Sequence, residues 1–290
     1  MPNTIALAKN YTSILDEVYM NASVTADLTS DNTMVRAGAN ANEIVYPQID
    51  VSGLGDYSRN SGYTDGSVKL EWETARFNYD RGTKIAVDVM DNEESRDIAF
   101  TMAGAELMRT KVAPEADAFT FATLAGTEGI SKATPATYAD ATAFLAGLIE
   151  AKNKMDEDEV PEEGRILYAT PTLLNGVMAL DTTKSREVLA SFAVIKKVPQ
   201  SRFYTAIDLL DGKTAGEEAG HFKKASAGKD INFMIVHKPA VIKFDKHTAS
   251  NIIPASANPD ADADISKYRK YGIVDVYKNK VAGIYLSHKE

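Results

Sequence analysis

Two short motifs in the sequence have residue types that could bind phosphate or a cation. Residues 211–214 read DGKT and resemble the end of a phosphate-binding loop. Such a loop needs a glycine five residues before its Gly-Lys pair, and Ile207 stands there. Residues 260–264 read DADAD, like the start of a calcium loop, but Ile265 and Tyr271 occupy the positions that require Gly and Glu. Both motifs therefore predict ordinary surface loops.

The histidines do not form a metal-binding or catalytic pattern. They are His221, His237, His247 and His288. None has the spacing of a zinc motif, although His237 and His247 could approach each other if their strands pair. The chain has no cysteine and lacks the motifs G-x-S-x-G and strand-linked G-x-G-x-x-G. The sequence therefore predicts a protein that is not an enzyme and that binds no metal and no cofactor.

The composition is that of a globular protein that binds neither nucleic acid nor membranes. The chain has 290 residues, of which 44% are hydrophobic and 25% charged, and its net charge is -9. This charge disfavours nucleic-acid binding, because phosphate contacts need clustered Lys and Arg. No apolar run approaches the roughly 18 residues of a membrane span, and the first residues do not resemble a secretory signal.

Residues 50–90 contain a segment that a compact enzyme would not need. Val68, Leu70 and Trp72 alternate with charged residues, which predicts a strand, and residues 43–51 can supply its partner. The intervening residues 52–66 are mostly small and polar. The sequence thus predicts a long two-stranded arm. Isolated hairpins are marginally stable in water, so we expect this arm to lie on another surface.

Aromatic and basic side chains in and around this arm are candidates for an assembly interface, because Trp, Tyr and Arg dominate contacts between proteins. The candidates are Tyr57, Arg59, Tyr63, Lys69, Trp72, Arg76 and Tyr79. Ordinary cross-strand packing within the hairpin is the alternative interpretation of the aromatic residues.

The other elements predict a mixed α+β fold without regular strand–helix alternation. Residues 1–42 form a distinct region, in which a short helical stripe at residues 14–19 precedes an extended arm over 23–42. The segment DNEES (91–95) supplies the N-cap and first-turn acids of a long helix, which reaches Leu124 and is interrupted at Pro114. Thr137 and Asp140 resemble a capping box for the next helix. Strands are predicted at 165–169, 193–198, 202–207, 231–237, 241–247, 268–277 and 281–288, with a helix from Pro171 to Leu180.

In this order, the elements resemble the major capsid protein of tailed bacteriophages, which has the Hong Kong phage-type fold. The sequence most resembles the capsid proteins of siphophages and of prophages of Gram-positive bacteria. The segments that carry the resemblance are NTIALAKNYTSILDEVY, VRAGANANEIVYPQID, GLGDYSRNSGYTDGSVKLEWETARFNYDRG with the following DNEES, RTKVAPEADAF, and DADADISKYRKYGIVDVYKNKVAGIYL.

The resemblance implies a division of the chain into the regions of that fold. They are an N-arm (1–43), an E-loop hairpin with its base (44–90), a P-domain spine helix (91–126), an A-domain (127–247), a P-domain return (248–277) and an A-domain closing strand (278–290). The E-loop is expected to lie over a neighbouring subunit. Some relatives cross-link through an E-loop lysine. Lys69 lies in the arm, but its partners have no clear match, so we predict no cross-link.

The resemblance also implies a structural function. The chain is expected to self-assemble into hexamers and pentamers of an icosahedral phage head that encloses double-stranded DNA without sequence-specific binding. Its other partners would be a portal and a separate scaffolding protein, since the chain begins at the N-arm. The protein would be located in the virion after assembly in the host bacterial cytoplasm, with no membrane. The alternatives are an encapsulin-type compartment shell or another virion protein and, from a different class, a hydrolase or nucleotide-binding enzyme.

Overall fold

The computed structural model describes residues 22–30, 36–37, 42–60, 62–94 and 98–290. The chain divides into two compact units. The smaller lies within Asp31–Asn78, and the larger comprises the described residues up to Ser30 together with Tyr79–Glu290.

The smaller unit is a three-stranded antiparallel sheet. Its strands are β1 (Arg36–Ala37), β2 (Glu43–Val51) and β3 (Val68–Arg76), in the order β1-β2-β3. The strands β2 and β3 pair without a bulge along their whole length. Beyond them, the Ser52 N–H donates to the Ser67 carbonyl over 2.9 Å, and a bridge between Ser58 and Gly62 closes the tip. The two-stranded arm predicted from the alternating residues is confirmed.

The first sheet of the larger unit consists of three long antiparallel strands. They are β4 (Tyr79–Asp88), β11 (Val241–Ile253) and β12 (Ala263–Val276), in the order β11-β12-β4. The strand predicted at 241–247 continues to Ile253, because its polar second half still pairs with β12 beyond a bulge between Asp245 and His247. Main-chain hydrogen bonds to a neighbouring strand do not depend on an apolar pattern. The sequence pattern therefore underestimated the length of this strand.

The helical segment that follows β4 is interrupted where Pro114 predicts. It contains α1 (Val89–Glu94), α2 (Ile98–Leu107), a π-helical turn (Met108–Val112) and α3 (Ala113–Gly126). Pro114 lies in the first turn of α3, directly after the π-helical turn. Proline has no N–H to donate and its ring clashes with the preceding turn of an α-helix, so a wider turn accommodates it. The predicted interruption is confirmed.

The second sheet of the larger unit has five strands, and three helices accompany it. The strands are β5 (Ser131–Lys132), β6 (Arg165–Ala169), β7 (Val194–Lys197), β10 (Ile231–His237) and β13 (Ile284–His288), and the helices are α4 (Ala141–Glu157), α5 (Pro171–Leu180) and α6 (Thr183–Ala190). The strand order is β5-β13-β10-β6-β7. A short hairpin of β8 (Ile207–Leu209) and β9 (Phe222–Lys224) completes the unit.

Both faces of the five-stranded sheet are covered, which explains the continuous apolar run in β10. Met234 belongs to a core that contains Phe121 of α3, whereas the next residue, Ile235, belongs to a second core that contains Phe144 of α4. Tyr168 of β6 likewise packs edge-on against Phe121, with ring centroids 5.2 Å apart. Strands buried on both faces lose the alternating pattern.

Local polar contacts account for the elements that were predicted wrongly. The capping residue of α4 is Asp140, whose carboxylate accepts the Ala143 N–H over 2.8 Å, and Thr137 is not the cap. Of the strand predicted at 202–207 only Ile207 is in a strand, because a 3-10 turn and a short loop precede β8. Helix α6 was not predicted. A capping box formed by Thr182 and Ser185 begins it, and serine at the third helical position is a weaker sequence signal than Glu or Gln.

Candidate assembly surface

One face of the β2–β3 hairpin carries a row of exposed apolar side chains. Because successive residues of a strand point to opposite faces, the directly paired residues share a face. The pairs on this face are Pro47 with Trp72, Ile49 with Leu70, and Val51 with Val68. We call these six residues the apolar ladder. Ile49 is 61% exposed, Val68 72% and Leu70 53%, so most of this face is in contact with water.

The opposite face of the hairpin is polar along its outer half, beyond the buried residues Ile44, Tyr46 and Ala75. It contains the pairs Gln48 with Glu71 and Asp50 with Lys69. The Lys69 ammonium lies 2.7 Å from the Glu71 carboxylate, and this hydrogen bond raises the pKa of Lys69. A raised pKa keeps the amine charged, whereas a lysine nucleophile needs its pKa lowered. Lys69 therefore has the properties of a solvated surface lysine.

The tip of the hairpin carries two exposed tyrosines in contact with each other. The rings of Tyr57 and Tyr63 meet edge to face, with centroids 4.9 Å apart. They are 61% and 89% exposed, and Arg59 is exposed in the turn between them. The rings hold each other in place while leaving most of their surface available, as expected of contact residues at an interface.

The remaining sequence candidates lie elsewhere. Arg76 is at the base of the hairpin, where it forms an ion pair with Glu43 over 3.3 Å. Tyr79 is the first residue of β4 in the larger unit and is buried. Its hydroxyl donates to the Glu115 carboxylate over 3.2 Å, and its ring packs against Phe119 with centroids 5.0 Å apart. Tyr79 is therefore a core residue of the subunit and not part of the exposed surface.

Five members of the apolar ladder were missing from the candidates selected by sequence. They are Pro47, Ile49, Val51, Val68 and Leu70. Selection by aromatic and basic residue type passed over them. The signal that would have found them is the common phase of the alternation in β2 and β3, which places their apolar residues on one face.

A buried carboxylate in the larger unit fixes the segment 22–30 to the body. Asp117 of α3 accepts hydrogen bonds from the hydroxyls of Ser23 (2.7 Å) and Thr25 (2.6 Å) and from the N–H groups of Val24 (3.0 Å) and Thr25 (3.1 Å). It also pairs with the Arg202 guanidinium over 3.0 Å. The prediction of an extended arm over residues 23–42 is therefore wrong for the described residues 23–30. The helical stripe predicted at residues 14–19 lies outside the described residues.

Lys243 of β11 completes this network. Its buried ammonium donates to the Thr25 carbonyl over 2.9 Å and to the Thr25 hydroxyl over 2.6 Å. Burial lowers the pKa of Lys243 to about 8, and the Asp117 carboxylate partly opposes this effect. Leu28 is also fully buried in the core beside α3. Polar and apolar contacts together make this segment part of the larger unit.

The DGKT motif is a loop, and the DADAD motif is a loop that runs into the first residues of β12. Asp211 accepts the N–H groups of Lys213 (2.7 Å) and Thr214 (2.8 Å), so these backbone donors are already used within the DGKT segment. The carboxylate of Asp264, in the DADAD segment, accepts the N–H of Ala255.

The histidines do not come together as a metal site. His237 and His247 lie in strands of different sheets, so their strands do not pair. In the described part of the chain, no three His, Asp or Glu side chains are grouped to hold a metal ion. None of the helices described has both the length and the apolar character needed to cross a membrane.

Comparison with known proteins relates this architecture to solved structures. No family model matches the sequence, and no curated protein matches it. A chain of Mycobacterium phage Che8 is 13% identical, with a TM-score of 0.61 over 91% of this chain and 90% of the other. A chain from the capsid structure of the Cyanophage P-SCSP1u is 14% identical, with a TM-score of 0.61 over 93% and 88%. The chain has the Hong Kong phage-type capsid fold.

A third similar structure with this fold is the virus-like particle from Pyrococcus furiosus. It is 10% identical, with a TM-score of 0.58 over 95% of this chain and 96% of the other. The α+β class and the Hong Kong phage-type fold expected from the sequence are therefore confirmed. At such low identities the likeness concerns the fold, and the function has to be argued from the surfaces of this chain.

Proposed function

We propose that the chain is a shell-forming structural protein, the major capsid protein of a phage head. It self-assembles into hexamers and pentamers of an icosahedral shell around double-stranded DNA. The observation that carries the proposal is the apolar ladder, which is exposed on the hairpin of a chain with a capsid fold. Contiguous exposed apolar surface is uncommon on monomeric proteins and is typical of interaction sites.

In this proposal the regions of the fold have separate roles. The hairpin within residues 44–90 is the E-loop and lays its apolar ladder on a neighbouring subunit. Residues 1–43 are the N-arm, 91–126 and 248–277 form the P-domain, and 127–247 with 278–290 form the A-domain. Each contact between subunits is weak. A closed shell repeats it many times, so the contacts reinforce each other through effective concentration.

The charge of the chain supports enclosure of DNA rather than binding to it. With a net charge of -9, the subunits do not neutralise phosphate groups as DNA-binding proteins do. The other proposed partners are a portal and a separate scaffolding protein. The proposed location is the virion, after assembly in the cytoplasm of a host bacterium.

Expression of the chain alone, followed by negative-stain electron microscopy, tests the proposal. We expect closed shells or rings of subunits. Replacement of residues 53–66 by Asn-Gly should abolish them, since Ser52 and Ser67 already pair across the hairpin and Asn-Gly closes two-residue turns. The shortened chain should remain folded, as measured by circular dichroism. Normal shells from this variant would contradict the role given to the hairpin tip, and tubes would indicate another virion protein.

An encapsulin-type compartment, which would enclose protein cargo, is the second candidate. The likeness to the Pyrococcus furiosus virus-like particle, which covers nearly the whole of both chains, favours it. Purified particles distinguish the two candidates by their content. Nuclease-protected DNA supports the phage head, whereas a stoichiometric second protein without DNA supports the compartment.

A further inference from the structure

A cavity of about 520 Å³ lies within the larger unit, apart from the apolar ladder. One wall consists of β4 and β12, and a second is the helical segment around the π-helical turn Met108–Val112. The loop of residues 210–221, which connects β8 and β9, lines the remaining side. Its volume lies in the range of small-molecule sites in proteins, roughly 300–1,000 Å³. We call it the basic cavity.

The charged side chains that line this cavity are predominantly basic. There are five basic and three acidic ones, in a chain whose net charge is -9. The basic residues are Arg81, Lys84, Lys111, Lys213 and Lys270, and the acidic residues are Glu115, Asp211 and Glu218. The cavity therefore has the opposite sign of charge to the chain as a whole.

The acidic side chains of the cavity are already engaged with protein groups. The Glu115 carboxylate accepts the Arg81 Nε–H over 2.7 Å. Asp211 accepts the hydroxyl of Thr214 as well as two backbone N–H groups, and these bonds lower the pKa of Asp211 to about 2. Glu218 accepts the Gly216 N–H over 3.0 Å. Glu115 is thus balanced by Arg81, whereas the hydrogen bonds to Asp211 and Glu218 fix these carboxylates in place and keep them ionised.

Three lysines of the cavity keep their charge available. Lys84, Lys111 and Lys213 are exposed, and none of them forms an ion pair with the acidic side chains that the structure describes. Lys270 differs, because it pairs with Asp245 over 3.1 Å. The three lysines come from β4, the π-helical turn and the loop, so only the folded larger unit brings them together.

Arg81 holds the loop in place over the cavity. Its Nη2 donates to the Leu210 carbonyl over 2.8 Å and to the His221 carbonyl over 3.3 Å, at the two ends of the loop. The same guanidinium is fixed to Glu115 of α3. His221 has a φ of 71°, an unusual backbone conformation for a residue other than glycine. Such conformations persist where the surrounding structure enforces them, often at binding sites.

We propose that the basic cavity binds a small multivalent oxyanion of the phosphate class. The ammonium groups of Lys84, Lys111 and Lys213 would bind it as converging point charges. The site differs from a nucleotide-binding loop, because Asp211 already occupies the backbone donors of the DGKT segment. The affinity therefore depends on the negative charge of the ligand, and the site makes no contacts specific to a nucleoside. The inference does not depend on the proposed shell function.

Calorimetric titration of the full-length chain with inorganic triphosphate, without divalent cations and at constant ionic strength, tests this site. We expect saturable binding of one triphosphate per chain. Each of the variants Lys84→Gln, Lys111→Gln and Lys213→Gln should weaken it about fivefold or more, because a charge-assisted contact is lost. The matched control is Lys184→Gln, which removes an exposed lysine from α6. Its affinity should equal that of the unchanged chain.

The phosphate group could also belong to a nucleic acid, so a single-stranded oligonucleotide is titrated in parallel. Binding of triphosphate, with the loss confined to the three cavity lysines, supports the proposal. Absence of saturable binding, or an equal loss for Lys184→Gln, would overturn it. Binding of the oligonucleotide but not of triphosphate would overturn the assignment to a small anion. Circular dichroism melting of each variant ensures that lost affinity does not reflect unfolding.

Discussion

The apolar ladder gives the sharpest test of assembly through the hairpin. Ile49 and Leu70 are directly paired at its centre, on adjacent strands and on the same face. Replacing both by asparagine removes apolar surface that the subunit itself does not bury. We expect the double variant Ile49→Asn, Leu70→Asn to fold normally and to assemble poorly.

The size of the effect follows from the exposure of the two side chains. Ile49 is 61% and Leu70 53% exposed, so a little over half of each remains to be buried by a partner. Complete burial of such a side chain contributes about 1.5–3 kcal/mol. The pair should then contribute about 2–3 kcal/mol to each contact, and the concentration at which shells form should rise by roughly 30- to 150-fold. Repetition of the contact in a closed shell makes this a lower limit.

The opposite face of the hairpin supplies a matched control. Gln48 and Glu71 are also directly paired and adjoin the same two positions. The double variant Gln48→Asn, Glu71→Asn also places asparagine at two paired positions of the strands but leaves the ladder intact, at the loss of the exposed Lys69–Glu71 contact. Assembly of both variants is followed by light scattering against protein concentration, and their folding by circular dichroism.

The reasoning would be refuted if both double variants formed shells at the concentration of the unchanged chain. An equal loss of assembly in both would also refute it, since the effect would then come from the hairpin as a whole and not from its apolar face.

Three further predictions concern the network around Thr25 and the lysine of the arm. Because the pKa of Lys243 is about 8 in the folded chain and about 10.4 when unfolded, the unfolded state binds more protons between these values. The free energy of unfolding should therefore rise by about 2 kcal/mol from pH 7 to pH 9.5, as measured by chemical denaturation. The variant Lys243→Met should show no such rise. Asp117→Asn should lower the free energy of unfolding by about 3–5 kcal/mol, because it removes the buried charge that pairs with the Arg202 guanidinium. The control Thr120→Val, one turn further along α3, should cost only about 1 kcal/mol. Particles boiled in denaturant should run as a single 31.5 kDa band, and a ladder of larger species would show that Lys69 or another residue forms cross-links.

The sequence predicted those elements whose signal is local. The hairpin followed from alternation in two neighbouring segments, and the interruption of the spine followed from Pro114. The buried strand at 231–237 was recognised from its continuous apolar run. In each case the residues that determine the element lie within it, so a pattern of period two or a single proline was sufficient.

The sequence did not predict contacts between distant residues. Ser23 and Asp117 are separated by 94 positions, and a segment of small polar residues has the same pattern whether it is solvated or held by a buried carboxylate. The basic cavity is similar, since its four lysines come from four separate elements. They line one cavity because β4 pairs with β12 and because Arg81 forms hydrogen bonds to both ends of the loop.

The two units differ in how completely they bury their apolar residues, and this difference bears on function. The larger unit covers both faces of its five-stranded sheet with its own helices, so its core requires no partner. The hairpin leaves much of its apolar ladder in water. Hydrophobic burial is proportional to the area removed from water, so this face contributes little to the folding of a single chain. It contributes fully only when another copy covers it, which makes the ladder more important to assembly than to the stability of the subunit.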